Sequence, residues 1–268
     1  MELVTVRDLK ICCESAGDGY PIVLIMGLTA NMDWWDPELV DALSQKYHVL
    51  MFDNRGAGRT VTPAEGEFTC EMFADDTAAL MDAKGIKRAN ILSMSMGGLI
   101  AQQLALKYPE RVNNLVLGYT FCGGKHMIQA TDEIMRILMD QSGGLDGVFE
   151  RVLKLMFTKD FLDASPDYVK HFKERYLRAP ISNANSLRQL MAYAKSDTYD
   201  RLPEIKNPTL VATGTDDVLI PPKNSRILAG RIPGAKLIKY KGSGHGFMSQ
   251  ERNTFIKDML AFLALKHN

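Results

Sequence analysis

The sequence predicts an α/β protein: a mostly parallel, eight-stranded sheet flanked by helices and interrupted by a helical insertion. Three observations predict it. Short continuous apolar runs, such as Pro21–Met26 and Tyr47–Phe52, read as strands buried on both faces. These runs alternate with stretches of helical spacing, which implies crossover connections and a sheet covered on each side. From Phe121 to about Tyr199 the alternation stops and helical patterns dominate, before strands resume at Thr209.

Each element follows from its residues. Glu2–Asp8 and Lys10–Ser15 are β-like segments joined by a short turn and read as an opening antiparallel pair. Pro21–Met26 is the first buried strand, ending in Gly27-Leu28-Thr29-Ala30-Asn31 ahead of Trp34 and Trp35. A helix over 36–46 has Pro37 in its first turn, where a missing N–H costs nothing. Tyr47–Phe52 is closed by Asp53-Asn-Arg-Gly-Ala-Gly58. Cys70–Ala83 has helical spacing, and Ala89–Leu92 is a strand that runs into Ser95 and a further helix. Val112–Tyr119 is the sixth strand. The insertion carries helical stretches over Ala130–Asp140, Leu145–Phe157, Asp167–Arg178 and Ser186–Ala194. Thr209–Thr213 and Ala235–Tyr240 complete the sheet around a helix over 222–230. The chain closes in an amphipathic helix with Phe255, Met259, Phe262 and Leu263 on one stripe. The core is expected at 1–120 and 200–268, and the insertion at 121–199.

Composition narrows the function. With 268 residues the chain can bury a self-supporting core. Lys plus Arg equals Asp plus Glu at 32 each, so nothing points to nucleic acid or an anionic membrane surface. No apolar run approaches the ~20 residues of a membrane span, and the N-terminus lacks a signal-peptide pattern. Cys12, Cys13, Cys70 and Cys122 form no C-x-x-C pair and no zinc spacing, so they read as free thiols of a cytoplasmic protein. No metal or cofactor is expected. Adjacent Cys12 and Cys13 must point to opposite faces if they share a strand.

The stretch that carries chemistry is Ser93-Met-Ser95-Met-Gly97-Gly98. A serine on a sharp strand-to-helix turn projects its hydroxyl into open space, and the following helix aims its first amides at the same place, favouring negative charge there. Small residues two before and two after Ser95 let the turn close. Ser93 stands where glycine is usual, but serine is also small. A serine hydroxyl is a weak nucleophile that needs a base, and the base needs an orienting acid. Of the five histidines, His48 opens a buried strand, His126 and His171 fall in or beside the insertion, and His267 is in the tail. His245 alone sits in a glycine-rich loop just past a strand, at the edge where ligands of open α/β sheets gather. Asp217, three residues after Gly214 and past another strand end, is the preferred acid. Its neighbour Asp216, pointing elsewhere, is the alternative.

Ser95, Asp217 and His245 follow in the order of the α/β-hydrolase triad, and the chain resembles that family over nearly its whole length. Leu24-Ile-Met-Gly-Leu28 with Trp34, Phe52–Gly58, Ser93–Gly98, and Gly214–Asp217 with Gly244-His245-Gly246 carry the likeness. Within the family the chain resembles small esterases, enol-lactone hydrolases, methyl esterases and cofactor-free haloperoxidases. The resemblance implies a lid in the insertion and an oxyanion hole from the backbone N–H groups of Leu28 and Met96. Many relatives have His-Gly where this chain has Met26-Gly27, so the turn must be supported differently. The Asp53–Gly58 segment is expected to fix a turn behind the site, with Asp53 and Arg55 structural.

The implied activity is hydrolysis of carboxylic esters through an acyl-enzyme. Met26, Met94, Met96 and Met248 flank the proposed catalytic positions. Thioethers adapt to irregular apolar shapes, so Met26, Trp34, Met94 and Met248 are expected to line a pliable pocket for short or medium acyl chains. Lactones, acyl thioesters, carbon–carbon bonds and perhydrolysis remain open with the same triad, and a non-catalytic ligand receptor is the alternative of another class. An aspartate nucleophile, as in dehalogenases and epoxide hydrolases, is excluded if Ser95 occupies the elbow. Between Pro166 and Lys195, Lys170, Lys173, Arg175, Arg178, Arg188 and Lys195 face only Asp167 and Glu174. A solvated helix face is the plain expectation there, and an anionic ligand at the lid mouth the sharper one.

Overall fold

The computed structural model describes residues 1–265; His267 lies outside them. Eight strands form one sheet: β1 (Glu2–Val6), β2 (Leu9–Ala16), β3 (Tyr20–Ile25), β4 (Tyr47–Phe52), β5 (Ala89–Met94), β6 (Val112–Gly118), β7 (Thr209–Gly214) and β8 (Lys236–Tyr240). Their order is β1-β2-β4-β3-β5-β6-β7-β8. The β1–β2 and β2–β4 pairings are antiparallel, and every later one is parallel. The crossovers run through α1 (Pro37–Ser44), α2 (Cys70–Ala83), α3 (Met96–Lys107) and, after the insertion, α9 (Lys223–Arg231). The chain ends in α10 (Phe247–Gln250) and α11 (Arg252–Leu263). No described helix is long and apolar enough to cross a membrane.

Two apolar clusters sandwich the sheet. Alternation along β2 sends Cys13 to one, with Phe52, Phe73 and Ile100, and Cys12 to the other, with Trp35, Leu39 and Phe255. All four cysteines are buried and free. Burial pushes the Cys70 thiol up to about 12, an unreactive, neutral state. Helix ends follow local chemistry: Asp36 caps α1 by accepting from Glu38 N, and Thr69 caps α2 by accepting from Met72 N.

Between β6 and β7 lie α4 (Asp132–Met139), α5 (Gly144–Met156), α6 (Lys159–Ala164), α7 (Pro166–Tyr176) and α8 (Asn183–Lys195). Sequence periodicity misses α6 and α10, which at six and four residues are too short to show an apolar stripe. It also begins α8 three residues late, because Asn183–Asn185 offers no apolar repeat. The insertion has its own aromatic core of Phe149, Phe157, Phe172 and Tyr176. Trp34 reaches into it, with its ring 5.5 Å from Phe172 and 5.0 Å from Tyr176. The helix ends are held unequally. Arg188 on α8 donates to the carbonyls of Pro63, Glu65 and Gly66 and stacks 3.8 Å over Phe68, and Lys195 pairs with Glu67 at 2.9 Å. Helix α4 packs chiefly on α5 and buries none of its own residues.

The Asp53–Gly58 turn is a structural hub. Asp53 is fully buried; Oδ1 accepts from Met32 N at 2.8 Å and Oδ2 from Arg59 N at 2.7 Å. Arg55 forks onto both carboxylate oxygens of buried Asp76 (2.7 and 2.9 Å) and onto exposed Asp8. Removing the guanidinium strips buried Asp76 of both Arg55 bonds and leaves its charge to exposed Arg7, at 3.0 Å. Arg55→Ala is therefore expected to cost about 3–5 kcal/mol of stability, read as a lower urea midpoint with unchanged slope. A midpoint equal to wild type would show that the pair adds nothing.

Candidate active site

Parallel register brings the carboxyl ends of the central strands into line: Ile25 pairs with Ser93, Met94 with Gly118 and Gly214 with Tyr240. The next residues of each strand therefore gather on one edge. At the centre Ser95 joins β5 to α3 with φ 53° and ψ −122°, a backbone state that costs of order 1–3 kcal/mol in a non-glycine residue. The surroundings impose it. Ser95 N donates to Gly118 O at 3.0 Å, and its carbonyl accepts from Gly98 N at 2.9 Å and Thr120 Oγ1 at 2.6 Å. A Cβ at Gly97 would lie 2.3 Å from Ile25 O, and one at Gly98 2.3 Å from Thr120 Oγ1, so only glycine fits at either. Ser93 is tolerated because its buried hydroxyl donates to Val116 O at 2.9 Å.

Asp217 and His245 come from the loops after β7 and β8. These loops touch backbone to backbone: a Cβ at Gly214 would lie 2.1 Å from Ser243 O, and Asp216 N donates to Ser243 O at 2.9 Å. Asp217 is buried. Its Oδ1 accepts from Leu219 N (2.9 Å) and Ile220 N (2.8 Å), which leaves Oδ2 for the imidazole. His245 Nδ1 donates to it at 2.9 Å, so Nε2 is the free ring nitrogen. Asp216 is exposed, and its side chain accepts from Thr215 Oγ1. Of the two acids, Asp217 meets the histidine.

Tyr119 follows the Gly118 carbonyl that binds Ser95 N. The Tyr119 and His245 rings lie 4.3 Å apart. Ser95 Oγ makes no hydrogen bond among the described residues, to His245 or to any other side chain. Catalytic contacts of this kind often tighten only when substrate is present. Tyr119 is buried at φ 35°, and burial together with Asp217 pushes its phenol well above the ordinary range. Sequence reasoning placed Tyr119 only as the end of a strand; nothing in the pattern marked its contact with His245.

Two backbone amides without a helix or strand partner lie on the segments next to Ser95. A Cβ at Gly27 would lie 3.6 Å from Ser95 Oγ, which puts the Gly27–Leu28 turn beside it. The Leu28 N–H has no protein acceptor among the described residues. The Met96 N–H opens α3, one of the leading amides that no intrahelical carbonyl can reach. In place of a turn histidine, Asn54 Nδ2 donates to Met26 O at 2.9 Å. Asn54 escaped the sequence reading although it sits inside a recognised motif.

Of the four pocket candidates, Met94 and Trp34 are half-buried and pack against the second core cluster, in which Met26 and Met248 are buried. Met248 fills the space under Gly118, where a Cβ would lie 2.2 Å from its Cε. The insertion reaches the histidine loop directly, since Gly246 N donates to Met156 O at 2.7 Å and Gln250 Nε2 to Thr158 Oγ1 at 2.8 Å. Most cations of the basic stretch have partners. Lys173 pairs with Asp146, Lys195 with Glu67, and Arg178 approaches Asp33. Arg175 is buried and lines, with His171, Ser249 and Arg252, a cavity of about 380 Å³ that contains none of Ser95, Asp217 and His245. His126 stacks on Tyr199, and His48 lies in β4. Among the described residues, no group of three or more His, Cys, Asp or Glu side chains could hold a metal ion.

Comparison with known proteins agrees with this architecture. A family described as "alpha/beta hydrolase fold" matches residues 20–251. The chain is 28% identical over 243 residues to the Caulobacter vibrioides protein named "Putative carbamate hydrolase RutD", covering 90% of this chain and 89% of the other. It superposes on the enol-lactonase from Burkholderia xenovorans LB400 with a TM-score of 0.84 at 27% identity, covering 97% of this chain and 98% of that one. Est816, described as an N-acyl homoserine lactone degrading enzyme, gives a TM-score of 0.80 at 27% identity, with 97% and 99% covered.

Proposed function

Because this chain belongs to the alpha/beta hydrolase family, we propose that it is a serine hydrolase cleaving carboxylic esters of short to medium acyl chains. The supporting observations are a serine held at φ 53° on the strand-to-helix turn and an imidazole oriented by a buried carboxylate at 2.9 Å, on loops at the same edge of the sheet. Substrate brings Ser95 Oγ and His245 Nε2 into hydrogen-bond reach. His245 takes the hydroxyl proton as Oγ attacks the carbonyl carbon, and Asp217 stabilises the resulting imidazolium. The Leu28 and Met96 amides receive the negative oxygen; one such donor is worth about 3–4 kcal/mol of barrier. His245 passes its proton to the departing alcohol. Water then attacks the acyl-enzyme, gives a proton to His245, and Ser95 recovers it as the acid leaves.

Half-buried Met94 and Trp34 supply the apolar wall for the acyl chain, with the insertion as a lid above them. A series of p-nitrophenyl esters from acetate to dodecanoate tests this: rates should peak at the short or medium end. Strict preference for a bulky polar acyl group would overturn the acyl-chain assignment. A lactone is the second reading, favoured by the enol-lactonase and lactone-degrading relatives. The chemistry is the same, with the leaving alcohol tethered to the acyl group. Lactone turnover far above ester turnover would select it.

A further inference from the structure

The turn beside Ser95 carries a second strained residue. Thr29 sits at φ 61°, a left-handed state that a β-branched side chain adopts only when its surroundings force it. Its own segment does not supply that force. Thr29 N donates to Gln189 Oε1 at 2.8 Å, and Gln189 lies 160 residues away on α8. Gln189 is fully buried, and its Nε2 donates to Arg55 O at 2.9 Å. The amide orientation is unambiguous, because a backbone N–H can only donate and a backbone carbonyl can only accept. A second tie lies two residues on, where Asn31 Nδ2 donates to Ala179 O at 2.8 Å. Helix α8 is itself moored to the core by Arg188.

The Thr29 N–H belongs to the peptide unit next to the one that carries the Leu28 N–H. Holding the first leaves only the Leu28 torsions to redirect the second. We propose that Gln189 is a positioning residue for the reaction: it aims the Leu28 amide at the developing oxyanion, so the last helix of the insertion is part of the oxyanion-stabilising frame. Gln189 touches no substrate. The proposal rests on the serine-hydrolase reading above.

The test compares Gln189→Met, Gln189→Glu, Arg188→Ala and Ser95→Ala with wild type. Methionine keeps the volume and removes both hydrogen bonds. With a short p-nitrophenyl ester, kcat of Gln189→Met should fall about 10- to 100-fold with KM changed less than about threefold, the scale of a misaimed catalytic donor. Affinity for an alkylboronic acid, whose tetrahedral adduct on serine mimics the intermediate, should fall in parallel. Arg188→Ala, which loosens α8 but keeps both Gln189 hydrogen bonds, should lower the melting temperature and cost less kcat than Gln189→Met. Glutamate is the second variant should methionine prevent folding. A protonated carboxyl both accepts and donates, so the kcat ratio of Gln189→Glu to wild type should rise towards one as pH falls. Unchanged kcat and boronate affinity in Gln189→Met, or a flat ratio in Gln189→Glu, would overturn the proposal while Ser95→Ala remains inactive. Full activity in Ser95→Ala would overturn the serine reading and this proposal together.

Discussion

Replacing Ser95 by alanine is expected to lower kcat for ester hydrolysis by about 10⁵- to 10⁶-fold, the loss seen when a triad serine is removed. The structure also sets what should not change. The strained backbone at residue 95 is held by Gly118 O, Gly98 N and Thr120 Oγ1, none of which involves the hydroxyl. Alanine keeps the β-carbon, so no cavity opens beneath it. The Ser95 hydroxyl has no hydrogen-bond partner among the described residues, so its removal orphans none of them. The melting temperature of the variant should therefore equal or exceed that of wild type, as expected where a residue serves chemistry at the expense of stability. Turnover retained by a folded Ser95→Ala protein would remove this serine from its role.

Asp217→Asn should cost about 10⁴-fold in kcat, again without unfolding. Oδ1 of Asp217 already accepts two backbone N–H groups. An amide oxygen can stay there, and its NH₂ must then face His245. That forces the imidazole proton onto Nε2, the nitrogen that has to accept from Ser95. The variant keeps the geometry and loses the base. Asp216→Asn is the internal control. That carboxylate is exposed and bonds only to Thr215, so kcat should stay within about twofold of wild type, as for other surface changes. Equal losses in the two variants would mean that the histidine draws on both acids.

What could be read from the chain, and what could not, follows from how far each signal reaches. Strand ends at Ile25, Met94, Gly214 and Tyr240 are local events, an apolar run meeting glycines or polar residues, and the eight-stranded sheet follows from them. Cys12 and Cys13 are assigned to opposite clusters by period two alone. Ser95, Asp217 and His245 are nameable because each stands just past a strand end. Tyr119 and Asn54 also follow strand ends but are not residue types that acyl transfer asks for, and Gln189 stands at no strand end. Gln189 looks like any polar residue on a helix; its importance arises because the fold brings α8 against a turn far away in sequence. Met248 shows how a local signal leaves the actual contact open. Proximity to His245 along the chain suggested a pocket wall, but the short α10 turns it into the gap under Gly118.

The unequal mooring of the insertion has a practical corollary. Pulling α8 from the core breaks the Arg188 bonds, the Lys195 ion pair and the buried Gln189 amide, whereas α4 buries nothing and leans mainly on its neighbour. Few apolar contacts mean a low free energy of local opening. Local opening within the insertion is therefore cheapest at α4. Substitutions over 132–139 should be tolerated, whereas randomising 183–195 would break the bonds by which Arg188 and buried Gln189 tie α8 to the core.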